Sequence, residues 1–131
     1  MADSTYVFVN TSQQLEAFIE DLARLIELSF ERKEKARDIW YDFDSEQMSI
    51  WVYKHEYESD EDLPLAEYPI AIDIRAKFVQ AGIGKRVWQD EQARNIFNKL
   101  KATKKYPLLL CWGLQTIMET FDPTQTETKR E

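Results

Sequence analysis

Six carboxylates crowd into the segment HEYESDEDLPLAEYP, residues 55–69, and Lys54 is the one positive residue beside them. Oxygen ligands at this density could hold a divalent cation, take part in acid–base chemistry or attract a cationic partner. The alternative is a solvated loop, which is the usual fate of a charge run. The acidic residues are Glu56, Glu58, Asp60, Glu61, Asp62 and Glu67.

The spacing of these ligands does not match a metal-binding motif. A calcium loop needs regularly alternating oxygen ligands and a glycine at its sharp turn, and residues 55–69 contain no glycine. A zinc site needs several nitrogen or sulfur ligands, whereas the chain has a single histidine, His55, and a single cysteine, Cys111. The sequence therefore predicts no metal ion and no other cofactor.

Catalytic arrangements also lack essential parts. Cys111 lies in the apolar run LLLCW, which predicts a small buried thiol rather than a nucleophile paired with His55. Asp42 and Asp44 in WYDFD could act as acid and base, but nothing in the sequence fixes their separation. The turn AGIGKR, residues 81–86, lacks the first glycine and the final Ser or Thr of a phosphate-binding loop. We expect no catalytic residues and no enzymatic activity.

Charge is distributed unevenly along the chain, whose formal net charge is -7. Residues 41–70 contain nine carboxylates and one lysine, whereas residues 71–105 contain nine cations and three carboxylates. The acidic total argues against general nucleic-acid binding. The basic stretch keeps one alternative open, an RNA-binding domain that uses residues 75–105.

Aromatic residues alternate with aliphatic ones in MSIWVYKHEY, residues 48–57, with the period of two that is typical of a β-strand. The alternating residues are Met48, Ile50 and Val52 on one face and Trp51, Tyr53 and Tyr57 on the other. If the aliphatic face covers the core, the aromatic face is at least partly exposed, as in the hot spots of protein interfaces. Alternatively, the rings pack on one another and on Arg75 across the strands.

The remaining elements follow from periodicity. Strands are predicted at Thr5–Val9, in YPIAIDIRAKF, residues 68–78, and in the apolar run PLLLCW, residues 107–112, which suits burial on both faces. Alternation in the second of these predicts that Ala71, Asp73, Arg75 and Lys77 face water. A helix is predicted from a capping box of Thr11 and Gln14 to Phe30, with ERKEKARD as its solvated extension or a second short helix. Another helix follows Trp88, and GLQTIMETF, residues 113–121, stays undecided between a strand and a helical turn.

The order β-α-β-β-α-β predicts an α+β fold, a single-domain two-layer sandwich with a mostly antiparallel sheet and helices on one face. A ferredoxin-like arrangement is one such topology. We expect one domain over residues 1–121 and a flexible polar tail over residues 122–131. The sequence contains neither an apolar run of membrane-spanning length nor a secretory signal, so we expect a cytoplasmic protein without a membrane partner.

In size, acidity, lack of a signal and α/β composition, the chain resembles bacterial immunity proteins, the small acidic cytoplasmic partners of polymorphic and contact-dependent growth-inhibition toxins. The resemblance implies a toxin domain, often a basic nuclease, that is shielded by carboxylates and aromatic rings. The residues that would mimic nucleic-acid phosphates are Glu56, Glu58, Asp60, Glu61, Asp62 and Glu67, with Asp42 and Asp44 beside them.

The leading functional hypothesis is therefore an inhibitor that binds a cognate cationic toxin domain. Trp51, Tyr53 or Tyr57 would supply the desolvated anchor, and the acidic residues of the 42–67 region would speed encounter. A regulatory or adaptor protein using the same surface is an alternative, as is the RNA-binding domain. Homo-oligomerisation remains open.

Overall fold

The computed structural model describes residues 4–59, 63–77 and 84–124. Within these ranges the chain forms seven β-strands, two α-helices and one short 3₁₀ turn. The elements are β1 (Thr5–Val9), α1 (Leu15–Ile26), β2 (Glu31–Lys35), β3 (Asp38–Asp44), β4 (Met48–Lys54), the 3₁₀ turn (Leu65–Glu67), β5 (Ile70–Ala76), α2 (Lys85–Thr103), β6 (Leu108–Trp112) and β7 (Thr116–Phe121).

All seven strands join one antiparallel sheet in the order β2-β3-β4-β5-β1-β6-β7. The first strand lies between two later ones, with Val7 opposite Ile72 of β5 and Leu110 of β6. β1 is apolar almost throughout and buried along its whole length, as a central strand covered on both faces must be.

Both helices pack on one side of the sheet, which we call the helix face. Phe18 and Leu22 of α1, Phe97 and Leu100 of α2, and the inward residues of the central strands, such as Ile72, form one core cluster with little or no solvent exposure. Burial of these large side chains supplies most of the driving force that holds the two layers together.

The opposite side, the open face, is covered over only part of its width. The cover segment, by which we mean the described residues of the stretch 55–69 (55–59 and 63–69), lies over the β5-β1-β6 part and places Leu63 and Leu65 against Phe8, Ala71 and neighbouring apolar side chains. The prediction that alternate residues of β5 meet water is therefore wrong at Ala71, which is fully buried. The β2-β3-β4 part of the open face has no comparable cover among the described residues.

The predicted β-α-β-β-α-β sandwich, including a ferredoxin-like arrangement, is wrong. The sheet has seven strands rather than the predicted four because residues 31–44 form the hairpin β2-β3, where a helical extension was one of the predictions, and because β7 adds a further strand. Its two-residue turn holds Ala36 at a φ of 56°, a left-handed conformation that glycine or asparagine usually marks in a sequence. The charges of ERKEK do not indicate a helix; they protect an edge strand from pairing with other chains.

Other boundaries also differ from prediction. α1 begins at Leu15, and its N-cap Gln14 makes no side-chain capping bond, so the capping box at Thr11 is wrong. Thr11 Oγ1 instead accepts a hydrogen bond from the Gln13 N–H at 3.1 Å, in a turn that precedes the helix. The undecided segment 113–121 forms the second edge strand, β7.

The sheet includes strands from Thr5 to Phe121. Most of the predicted tail, residues 125–131, lies outside the described residues, as does Phe78 at the predicted end of β5. Neither α-helix in the described part of the chain combines the length and the apolar character that crossing a membrane requires.

Candidate functional site

The uncovered part of the open face brings together aromatic rings and carboxylates from three neighbouring strands. In the register of the sheet, Trp51 of β4 lies opposite Asp42 of β3 on one side and opposite Asp73 of β5 on the other. Trp40 of β3 lies opposite Tyr53 of β4. We call these five residues, Trp40, Asp42, Trp51, Tyr53 and Asp73, the aromatic–acidic face.

Two tryptophans form the centre of this face. The ring centroids of Trp40 and Trp51 are 5.9 Å apart, with the planes tilted by 33°. Trp51 keeps 45% of its surface exposed, although it lies in the middle of a strand and near the middle of the sheet. A ring of this size that is left in water beside carboxylates is characteristic of a binding surface rather than of a folding core.

A chain of hydrogen bonds fixes the side of the face next to the cover segment. Tyr53 donates to Asp73 Oδ2 at 3.5 Å, and the hydroxyl groups of Tyr53 and Tyr57 are hydrogen bonded at 3.2 Å. Burial raises the pKa of the Asp73 carboxyl, although hydrogen bonding to Ser4 and Tyr53 and the charge of Arg75 oppose that shift. Burial likewise raises the pKa of Tyr53, which stays neutral at physiological pH.

Asp42 presents an unusual acceptor at the centre of the face. Its Oδ1 atom is buried and finds no hydrogen-bond partner among the described residues. A buried carboxylate oxygen that accepts no hydrogen bond destabilises the folded state. A hydrogen bond that a donor forms to this oxygen is therefore more favourable in free energy than one formed to a solvated carboxylate.

His55 fixes the start of the cover segment. Its Nδ1 accepts a hydrogen bond from the Tyr57 N–H at 3.0 Å, so the proton of the neutral ring is on Nε2, which donates to the Tyr68 carbonyl. The ring also stacks on Tyr57 with centroids 4.6 Å apart and makes a T-shaped contact with Phe8. One imidazole thus holds both ends of residues 55–69 against the sheet.

Acidification is expected to weaken this attachment. Burial lowers the pKa of His55 below its usual value of about 6.5, so the unfolded chain takes up the proton more readily than the folded one. The stabilisation that neutral His55 provides is complete at pH values above the His55 pKa of the unfolded chain. It is lost as the pH falls through the lower pKa of the folded chain, because a protonated Nδ1 cannot accept a hydrogen bond from the Tyr57 N–H. Urea denaturation at about pH 7.5 and about pH 5.5 should show a decrease in the wild type that the H55Q variant lacks.

His55 is the only histidine of the chain, so no other imidazole contributes to that difference. Equal losses of stability in the wild type and in H55Q would contradict the assignment.

The other predicted acidic residues surround the face or lie apart from it. Glu56, Glu58 and Glu67 are exposed along the cover segment. Asp44 is exposed at the end of β3 and forms an ion pair with Lys77. The three central acids of the cluster, Asp60, Glu61 and Asp62, lie outside the described residues.

Of the predicted aromatic anchors, Trp51 and Tyr53 contribute to the face, whereas Tyr57 is half-buried against Phe8 and His55. The structure adds Trp40 and Asp73, which sequence reasoning did not single out. The alternation of DIWYDFD could have placed Trp40 beside Asp42 on one strand face. Asp73 could be recognised only from the pairing of β5 with β4.

Two observations bear on covalent and metal chemistry in the described residues. Cys111 is fully buried, as predicted, and burial raises the pKa of its thiol to about 12, so it stays protonated at neutral pH. In the described part of the chain, no three His, Cys, Asp or Glu side chains come together as a metal site. What the face can do is bind, because it combines flat apolar rings with carboxylates.

Comparison with known proteins gives no relative: no family model, no curated protein sequence and no solved structure matches this chain.

Proposed function

We propose that this protein is a non-enzymatic inhibitor, an immunity protein of the cytoplasm that binds a cognate cationic toxin domain through the aromatic–acidic face. The observation that carries the proposal is Trp51, 45% exposed in mid-sheet and flanked across the strands by two carboxylates. Such a surface fits a partner that supplies both positive charge and apolar contact.

The uneven cover of the open face supports the same conclusion. The cover segment buries Phe8, Leu109 and their neighbours, but the part of the face that carries Trp40 and Trp51 has no such cover among the described residues. Hot spots of protein interfaces are enriched in tryptophan and tyrosine at positions that a partner desolvates. The exposed Glu56 lines the same groove as Trp51, Tyr53 and Asp73, as do the cations Arg32, Arg37 and Lys54.

Ion pairs within the chain engage several cations of residues 75–105, which makes RNA binding through this stretch a less favoured function. Lys77 pairs with Asp44, Arg86 with Asp90, and both Arg94 and Lys101 with Glu119. A cation engaged by a carboxylate contributes less to binding a phosphate backbone.

The proposal is tested by calorimetric titration against the toxin domain encoded beside the gene of this protein, at low and high salt. We expect nanomolar binding that weakens as salt rises, because the encounter is between opposite charges. Absence of binding at both salt concentrations would refute the neighbouring-toxin assignment. A partner encoded elsewhere that uses the same face would identify an adaptor or regulatory protein instead.

Charge reversal beside the face is expected to slow association. The double variant E56K/E58K replaces two exposed carboxylates of the cover segment, and the association rate at low salt should fall about three- to tenfold with a weaker salt dependence. Stopped-flow or surface-based kinetics measure this rate directly.

The matched control is E20K, which alters an exposed carboxylate of α1, on the helix side of the sheet. If E20K slowed association as much per charge as the double variant, net charge and not this face would govern the encounter.

A further inference from the structure

We propose that the aromatic–acidic face recognises an arginine side chain of the partner, with the guanidinium stacked on the exposed side of Trp51 and hydrogen bonded to the carboxylates of Asp42 and Asp73. The inference rests on the proposed function only in taking this face as the partner-binding surface. It adds the chemical group that is bound and the residues that bind it.

The sheet register places both carboxylates within reach of one planar cation. Asp42 and Asp73 lie opposite Trp51 on its two neighbouring strands, and adjacent strands of a sheet are about 4.8 Å apart. A guanidinium over the indole therefore has an acid on each side. Its fork of five N–H donors can serve both, whereas a lysine ammonium is a single point charge with a tightly held hydration shell.

The chain itself contains an example of this arrangement. The Arg86 guanidinium carbon lies 3.7 Å from the ring centroid of Trp112, while Arg86 Nε donates to Asp90 at 3.3 Å. At the end of β6 the chain therefore stacks one of its own arginines on a tryptophan beside an aspartate. The cation–π contacts of the described residues involve the rings of Trp112 and Phe121. No cation of the described residues stacks on Trp51.

Neither carboxylate of the face forms an ion pair with a described residue. Asp42 Oδ1 is buried and has no hydrogen-bond donor among the described residues. Arg75 of β5 lies two residues from Asp73, and its Nε and Nη2 donate to Ser4 Oγ, just before β1, at 3.2 and 3.0 Å. Burial still outweighs the effect of Arg75 on Asp73, and a second guanidinium would offset that burial.

The test uses the folded, full-length wild-type chain and a small probe, so that it does not depend on the partner. The chain has four tryptophans, whose indole N–H signals can be followed separately by NMR during titration with N-acetyl-arginine amide. We expect saturable shifts of the Trp51 and Trp40 signals, with the Trp112 signal unchanged because Arg86 already covers that ring. N-acetyl-citrulline amide, the neutral analogue of the same shape, should bind at least about fivefold more weakly, and N-acetyl-lysine amide should also bind more weakly.

Two isosteric variants identify the contributing carboxylates. D42N and D73N should each weaken arginine binding and leave the Trp112 signal in place. If either variant fails to fold, the comparison of arginine with citrulline in the wild type still decides the question.

Equal responses to arginine and citrulline, or shifts spread evenly over all four tryptophans, would overturn arginine recognition. That result would leave the toxin-binding proposal standing if the calorimetric titration still gave salt-sensitive binding. Conversely, arginine binding without toxin binding would support this site and refute the toxin assignment.

Discussion

Replacing Phe8 with alanine is expected to lower the free energy of unfolding by about 3–5 kcal/mol, the cost typical of removing a fully buried phenylalanine. Phe8 has no solvent exposure and lies on the open face beneath the cover segment. Its ring stacks on Tyr6 with centroids 5.2 Å apart and makes T-shaped contacts with His55 and Tyr57. The variant therefore loses apolar burial and leaves a cavity between the sheet and residues 55–69.

Urea denaturation measures the loss, with L114A as the matched control. Leu114 is an apolar residue in the turn between β6 and β7 with 39% exposure, so its truncation should cost no more than about 0.5 kcal/mol. The F8A variant should also show faster hydrogen exchange at the Tyr57 amide, which bonds to His55. A stability close to that of the control would mean that the cover segment does not pack as the structure places it.

The parts of the fold that the sequence predicts are those with a clear local period. Alternation along β4 predicts that Ile50 and Val52 point into the core and that Trp51 points away from it, and the burial of these residues confirms this. The apolar run at β6 predicts a strand buried on both faces, which is also confirmed. In both strands the apolar pattern predicts the burial correctly, because the side chains that the pattern marks as apolar do face a hydrophobic core.

The hairpin β2-β3 could not be recognised in this way. Residues 31–35 carry five charges in succession, and their turn contains Ala36 in a conformation that sequence signals assign to glycine. Their strand structure depends on pairing with DIWYDFD, which is a tertiary contact rather than a local preference. Since this hairpin supplies Trp40, the error in the fold concealed half of the tryptophan pair.

The site shows the same division between local and long-range information. The sequence pattern predicts Trp51 and Tyr53 as an aromatic face of one strand, and it predicts Asp42 as an acid beside them. That Asp73 lies on the other side of Trp51 follows only from the position of β5 beside β4. The burial of Tyr57 likewise follows from the cover segment folding back over Phe8, which composition does not encode.

Truncation of Trp51 is expected to have the largest effect on partner binding. In W51A the complex should lose at least about 2 kcal/mol of binding free energy, or about thirtyfold in affinity, because a central tryptophan between two carboxylates has the properties of a hot spot. The stability of the free protein should change by no more than about 1 kcal/mol, since Trp51 is 45% exposed and its main described ring contact is with Trp40.

Kinetics distinguish this anchor from the acids around it. W51A should mainly raise the dissociation rate, because short-range contacts act after the complex forms, whereas E56K/E58K should mainly lower the association rate. L114A, an exposed apolar truncation in the turn between β6 and β7, should change neither rate. If W51A and L114A bound the partner equally well, the aromatic–acidic face would not be the binding surface, even if binding itself were tight and salt-sensitive. A selective rise in the dissociation rate of W51A would instead place the partner directly on the ring that Asp42 and Asp73 flank.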